Sequence, residues 1–342
     1  MNDSIVIIGG FDREELLPVL IEGFEDAGCD VFYLPSRGVI EQHRKRDADF
    51  AGKEIIPFPR ETPCQCQTEV DFNARVRAVV ADCKPRLVMW WYAKDDRPAG
   101  LVESLGCPTV RFSWDDPLSI MWGEDYSRGF THAVTGCRTS IAHYAKRGVK
   151  AMWTLPPVSP TIHGQAQPIE YEQCDIGLTF YALYGGKAAW LTERCKRREL
   201  IVASAGLGRA HVYGGWGRDA FPDMPRTSFR GFRATDEMPR IFASSKITVT
   251  HHPQIEAVGY VSPRDTAAMA SGSFLLSDDC AGIVECLPEV TTYCCLGDFR
   301  VLAERYLEEE QDRRDAVGLC RTRVLSEYSG ERFSRKLLEF VG

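Results

Sequence analysis

The sequence predicts an α/β protein made of two doubly wound domains in tandem. Three observations carry this. Short apolar runs rich in Val and Ile alternate with helix-period segments along most of the chain. The first run, SIVIIGG (Ser4–Gly10), ends in two glycines and leads into a helical pattern, the opening of a β-α-β unit. A proline-rich stretch near the middle breaks the alternation, which then starts again.

The elements follow in order. After SIVIIGG, the segment DREELLPVLIEGFEDAG places Leu16, Leu17, Leu20, Ile21 and Phe24 at helical spacing. Pro18 belongs in the first turns, where its missing N–H is tolerated, and Gly28 is a stop. CDVFYLP is the second strand. VDFNARVRAVVADCKP reads as a helix, RLVMWWYA as a strand, PAGLVESLGC as a helix, and PTVRFSWDDP as a strand entering an acidic loop. THAVTGC, RTSIAHYAKRG and KAMWTLPP give strand, helix and strand. Between them Gly38–Glu69 is irregular and charged, a solvated insertion.

LPPVSPTIHGQAQPIEYEQ carries four prolines and few periodic apolar residues, so it reads as a linker. The predicted domains are 1–154 and 173–342, with 155–172 between them. The second series runs CDIGLTFYA (strand), GKAAWLTERCKRRELIVASAG (basic helix), AHVYGGW (strand) and TDEMPRIFASS (helix, with Thr235 or Asp236 as N-cap). KITVTHH (strand), SPRDTAAMASG (helix) and SFLLSDD (strand) follow, and the chain is helical from Asp298 to its end. The last helix is expected to close the chain and to pack back on the first domain.

Composition narrows the function. The 342 residues are 44% hydrophobic and 26% charged, with a net charge of −7, so the broad basic field of a nucleic-acid binder is absent. No apolar run is long enough to span a bilayer. Met1 leads into a strand without a signal-peptide pattern, so the cytoplasm is the expected location. The 13 cysteines are scattered and form no C-x-x-C pair, which fits reduced, mostly buried thiols rather than a zinc knuckle. No metal-ligand cluster is expected. The D-x-D at Asp47–Asp49 lies in the charged insertion and reads as chance.

Ligands of open parallel sheets bind beyond the carboxyl ends of the strands, and interdomain clefts are common sites. That points to a small-molecule or nucleotide enzyme. Several segments sharpen it: LPPVSPTIH, CDIGLTF, HVYGGW, ATDEMPRIFASSKITVTHH and RDTAAMASGSFLLSD, with SWDDP and SIAHYAKRGVKAMWTLPP in the first half. In this order they resemble the GT-B glycosyltransferases, and more closely the spore-maturation CgeB-like glycosyltransferases. The resemblance implies two Rossmann-like domains facing a cleft. It also implies transfer of a sugar from a nucleoside diphosphate donor, without an essential metal or separate cofactor.

It further implies roles for particular residues. Arg264, with Lys187 or Arg194, would hold the diphosphate, and Gly185 and Gly186 would let the backbone approach it. The small residues Ala267, Ala268, Ala270, Ser271 and Gly272 would bring a helix start, with its unpaired amides, close to the phosphates; alternatively they let the helix pack tightly on the sheet. Gly214 and Gly215 would approach the base or sugar. Gly9 and Gly10 would approach a phosphate or make a tight turn. Asp115 or Asp116 is the candidate base, or the pair is an acidic turn ahead of Pro117. His251 and His252 close a strand at the same edge, as sugar or phosphate contacts, with His252 catalytic, or as structural histidines.

One departure stands out. The resembled family has a ribose-binding Glu three positions after the Arg, and the related retaining enzymes often have a second Glu eight positions earlier. Here these positions are Ala267 and Gly259. Asp265 is the nearby substitute for the ribose contact, or it and Glu256 are plain surface acids. The departure keeps two alternatives open: a catalytically inactive binding or scaffold protein, and a nucleotide-sugar epimerase. The acceptor is open among protein, glycan, lipid and modified nucleic-acid base.

Overall fold

The computed structural model describes residues 3–9, 16–35, 69–91, 100–114, 116, 127–179, 191–214, 221, 228–231, 233, 235–252 and 257–342. The chain divides into one unit of Met1–Thr154 with Gly330–Gly342, and a second of Leu155–Ser329. The first contains β1 (Ser4–Gly9), α1 (Leu16–Asp26), β2 (Asp30–Pro35), α2 (Glu69–Cys83), β3 (Leu87–Trp91), β4 (Thr109–Ser113), β5 (His132–Thr135), α3 (Ser140–Ala145) and β6 (Lys150–Trp153). The second contains β7 (Cys174–Leu178), α4 (Leu191–Leu207), β8 (Ala210–Tyr213), β9 (Phe229–Gly231), α5 (Met238–Ala243), β10 (Ser245–Thr250), α6 (Pro263–Ala270), β11 (Phe274–Asp278), α7 (Ala281–Cys286), β12 (Thr291–Tyr293), α8 (Leu296–Glu308) and α9 (Glu310–Glu327). α10 (Gly330–Val341) then returns to the first unit.

The first sheet is parallel throughout, in the order β2-β1-β3-β4-β5-β6. Strands covered on both faces should be apolar without alternation, and β1 is buried from Ile5 to Gly9. Ile5 and Ile7 face a core with Leu17, Phe24, Phe112, Phe333 and Leu337, while Val6 and Ile8 face Phe72, Val76 and Trp90. Phe333 and Leu337 come from α10, so the C-terminal helix completes one face of this sheet. Burying each such side chain contributes ~2 kcal/mol. The helix expected over Pro98–Cys107 is only a short 3-10 turn, Val102–Ser104, in the described residues.

α10 meets α1 through backbone. Gly23 and Gly330 face each other so closely that a Cβ on Gly23 would collide with the Gly330 carbonyl. A Cβ on Gly330 would lie 2.6 Å from the Val19 carbonyl oxygen.

The second sheet is also parallel, in the order β12-β11-β10-β7-β8-β9. Its winding reverses between β7 and β10, the kind of point where doubly wound sheets hold ligands. Ile176, Leu178, Ile247, Val249 and Leu276 pack with Ile201 and Phe299 of the covering helices. β9, α7 and β12 were not anticipated from sequence: each is three to six residues long, too short for a periodic signal.

The proline-rich 155–172 segment is built into this second unit. The Val158 amide donates to the Tyr328 carbonyl at 2.8 Å, and the Ile169 amide to Ser244 Oγ at 2.7 Å. Glu172 accepts from Arg230, Arg233 and Tyr213. His163 is buried and takes a hydrogen bond from the Ser159 amide on Nδ1. Burial lowers its pKa from the ordinary 6.5 to about 4.

The eleven described cysteines are free thiols, and most are fully or partly buried. No described helix is long and apolar enough to cross a membrane.

Two outcomes follow from this packing. Gly23→Ala should lower the stability of the first unit by about 1–3 kcal/mol by forcing α1 and α10 apart. Thermal unfolding, with limited proteolysis of α10, reads this. The neutral His163 ring contributes fully above pH 6.5, and that contribution is lost as pH falls toward about 4. Wild type should therefore lose up to about 3 kcal/mol more than His163→Asn over that acid range. Urea unfolding at several pH values measures the difference.

Candidate functional site at the carboxyl edge of the second sheet

The site is built where β7, β10 and β11 end. Helix α6 begins at the same edge. Ser262 caps it: its side chain accepts from the Arg264 amide, and the Asp265 side chain accepts from the Ser262 amide at 2.9 Å, a reciprocal capping box. The Asp265 amide donates to the Ser262 carbonyl, and Pro263 has no N–H to offer.

The first-turn amides are thus largely consumed inside the protein. This corrects the expectation that they stand open to a diphosphate. The remaining cationic group is the Arg264 side chain, half-buried, whose NH1 donates to the Thr179 carbonyl at 2.8 Å and whose Nε lies 3.4 Å from Ser262 Oγ. Thr179 follows β7, so this contact bridges from α6 to the strand at the winding reversal.

His251 and His252 follow β10, and Asp278 ends β11. His252 Nδ1 lies 2.5 Å from Asp278 Oδ1, and Nε2 lies 2.8 Å from Asp265 Oδ2. Its amide donates to Asp278 Oδ2 at 2.8 Å. His251 Nδ1 donates to the same Oδ2 at 2.9 Å. Arg197 of α4, 2% exposed, donates to the His251 carbonyl at 3.1 Å.

Burial opposes a charged His252. Asp265 and Asp278 outweigh it and hold its pKa well above the ordinary value. Burial likewise opposes the ionised Asp278, but His252 and His251 hold that carboxyl below its ordinary value. Asp265 Oδ1 is buried without a hydrogen-bond partner.

Cys280 joins His252 and Asp278 with donor atoms within 4.8 Å, the one such group among the described residues. Asp278 already accepts from the His252 amide, His252 Nδ1, His251 Nδ1 and Ser277 Oγ. These four contacts involve both Asp278 oxygens.

The candidate residues from sequence separate clearly. Arg264, His251, His252 and Asp265 are brought together. Asp265 is 0% exposed and turned to His252 and Ser262, which corrects its proposed ribose contact. Ser271 and Gly272 stand at the far end of α6, about 12 Å along its axis from Arg264, and so leave the site. Gly272 has φ 87°, and its amide bonds Met269 while that of Ser273 bonds Ala268, a C-terminal cap that glycine favours. Ala267, Ala268 and Ala270 are buried, so the small residues serve helix packing.

Gly214, with φ 109°, follows β8 on the same edge, and its amide is already bonded to the Gly231 carbonyl. In the first unit, the Gly9 carbonyl accepts from Tyr33 Oη at 2.9 Å. Asp116 is fully buried, with Oδ1 accepting from Ser113 Oγ at 3.0 Å and Oδ2 from Tyr144 Oη at 2.7 Å. That is an anchoring carboxylate rather than a base open to an acceptor, and it corrects the assignment of Asp116. Gly10, Asp115, Gly185, Gly186, Lys187 and Gly215 lie outside the described residues, as do Asp47–Asp49, Glu256 and the Arg194 side chain.

Three participants escaped the sequence reading: Asp278, Arg197 and Thr179. Asp278 carried a signal, being an acid at a strand end beside the strand of the paired histidines. Arg197 sat in a run of basic residues where no spacing singles one out.

Comparison with known proteins agrees with this architecture. The family described as "Glycosyl transferase-like" matches residues 189–339, which fall largely in the second unit. None of the curated proteins matches the chain. Among solved structures, HepE of Anabaena in complex with UDP and glucose is 11% identical, with a TM-score of 0.59 and 99% of each chain covered. AviGT4, a glycosyltransferase involved in avilamycin A biosynthesis, is 13% identical, with a TM-score of 0.60, covering 99% of this chain and 96% of its own. UDP-GlcNAc 2-epimerase from Neisseria meningitidis, bound to UDP-GlcNAc, is 10% identical, with a TM-score of 0.54 and 99% of each chain covered. Two parallel six-stranded sheets with covering helices match the GT-B glycosyltransferase structures, and that is the fold of this chain.

Proposed function

We propose that this protein is a glycosyltransferase that takes a sugar from a nucleoside diphosphate donor held by its second unit. One observation carries the reading. Arg264 is fixed at the start of α6 and bonded to Thr179 at the winding reversal of the second sheet, within a GT-B fold. A guanidinium there suits the leaving diphosphate, whose growing charge needs a placed donor. The family match over this unit supports transfer, and the UDP held by HepE makes uridine diphosphate the first probe. Metal independence and the CgeB-like subfamily belong to this proposal. The base would be Asp115, because Asp116 is committed to Ser113 and Tyr144.

A binding-only reading has its own support. Ala267 stands where the resembled family has its ribose carboxylate, and Asp265 is turned inward. Turnover separates the two readings.

Thermal unfolding with UDP, GDP, ADP and dTDP and their sugars is the test. One nucleotide should stabilise the protein by roughly 2.7 kcal/mol at a hundredfold excess over its dissociation constant. Arg264→Ala should remove most of that shift, with little change in the unliganded protein. No shift with any nucleotide at millimolar concentration overturns the proposal. Binding without donor hydrolysis or transfer selects the binding protein, and conversion of the donor sugar without an acceptor selects an epimerase.

A further inference from the structure

We propose that His252 is a positioning residue: its ring, bonded to a carboxylate at each nitrogen, clips the first turn of α6 and its Arg264 to the ends of β10 and β11. The positioning of a donor rests on the reading of Arg264 given above; the clip does not.

Between two ionised carboxylates the geometry calls for a doubly protonated ring. A neutral imidazole has a single N–H. Here Nδ1 and Nε2 both face carboxylate oxygens, at 2.5 and 2.8 Å, and those oxygens already accept from the Ser277 hydroxyl and the Ser262 amide. Loss of the proton would set a nitrogen lone pair against a carboxylate and break one side of the clip.

The Asp265 side is the consequential one. Asp265 is the residue after Arg264 and forms half of the capping box that starts α6. Its carboxylate is buried beside the very turn offered to an anionic ligand. An uncompensated acid there would repel a diphosphate, and the imidazolium cancels it.

Among the described residues, the groups around the ring are as follows. His252 packs against Asp265 of α6, Asp278 of β11, Cys280 ahead of α7 and the ring of Tyr260. Beyond these lie His251 on its own strand end, sharing Asp278, Arg197 of α4, bonded to the His251 carbonyl, and Tyr293 of β12, bonded to the Thr250 carbonyl. Arg197 is a fixed cation in this set, and its NH2 donates to the His251 carbonyl.

Two measurements test the proposal. The first is the histidine ring ¹⁵N spectrum at about pH 7.5, a unit above an unperturbed histidine. The His252 signal, assigned by its loss in His252→Gln, should show both nitrogens protonated. In Asp265→Asn, whose amide can donate to a neutral ring, one nitrogen should lose its proton. One unprotonated ring nitrogen in the wild type, or stoichiometric bound metal in the purified protein, overturns the clip.

The second is UDP affinity by calorimetry, from about pH 7 upward, clear of the nucleotide's own phosphate ionisation near pH 6. Wild-type affinity should fall roughly tenfold as pH rises through the His252 pKa seen by NMR, the scale of one charge-assisted hydrogen bond. The sign follows from the raised pKa: the clip is complete at low pH and lost at high pH. Asp265→Asn should bind UDP independently of pH in that window, and His252→Gln should bind weakly throughout. Equal UDP affinity and equal pH dependence in wild type and His252→Gln overturn the positioning role. If UDP, GDP, ADP and dTDP bind none of these proteins, the donor reading and the positioning role fall together, and the ring spectrum alone then decides the clip.

Discussion

The second unit depends on how a helix begins. α6 starts at the carboxyl edge of a parallel sheet, with an acidic residue in its first turn and a buried histidine behind that acid. An acid at this place stabilises the helix through the capping box and the macrodipole. The same acid, 0% exposed, costs desolvation that the capping bond alone does not offset. His252 supplies the countercharge, and Asp278 completes the arrangement from the neighbouring strand. The positions of Arg264, the His251 carbonyl and the end of β11 all follow from this contact.

The arrangement changes what the helix start can do for a ligand. An open N-terminus presents free amides to an anion. Here the Ser262 and Arg264 amides are spent on the cap, and under the proposed function a side chain would meet the anion instead. A guanidinium held by Thr179 gives directed donors in place of a diffuse dipole end.

The fold was legible in the sequence because both sheets are parallel and doubly covered. Buried parallel strands read as unbroken apolar runs, and SIVIIGG, KITVTHH and SFLLSDD are of that kind. The site was legible only in part. Position along a strand told which residues reach the carboxyl edge, which is how His251 and His252 were found, while Arg264 came from the resemblance of its loop. It did not tell which way a carboxylate turns. Asp265 and Asp116 were read as ligand-facing or else as a surface acid and an acidic turn, and each is consumed by buried donors from elements distant in sequence, 13 residues away for His252 and 28 for Tyr144. Small residues misled for a related reason. Ser271 and Gly272 belong to the same motif as Arg264, but one helix length separates the two ends of α6.

Ala267 stands where the resembled family has its ribose carboxylate, and its surroundings give that a physical reading. Ala267 is 2% exposed and packed within the helix layer. A longer acid there would need both space and a partner. His252, the buried histidine of this edge, already faces Asp265 on one side and Asp278 on the other. Asp265, two residues earlier, is directed inward, where it stabilises the helix start. A donor bound at this edge would meet its ribose through other groups, and its diphosphate through Arg264. Selectivity for the nucleotide would then depend more on charge and backbone shape than on a carboxylate gripping two hydroxyls.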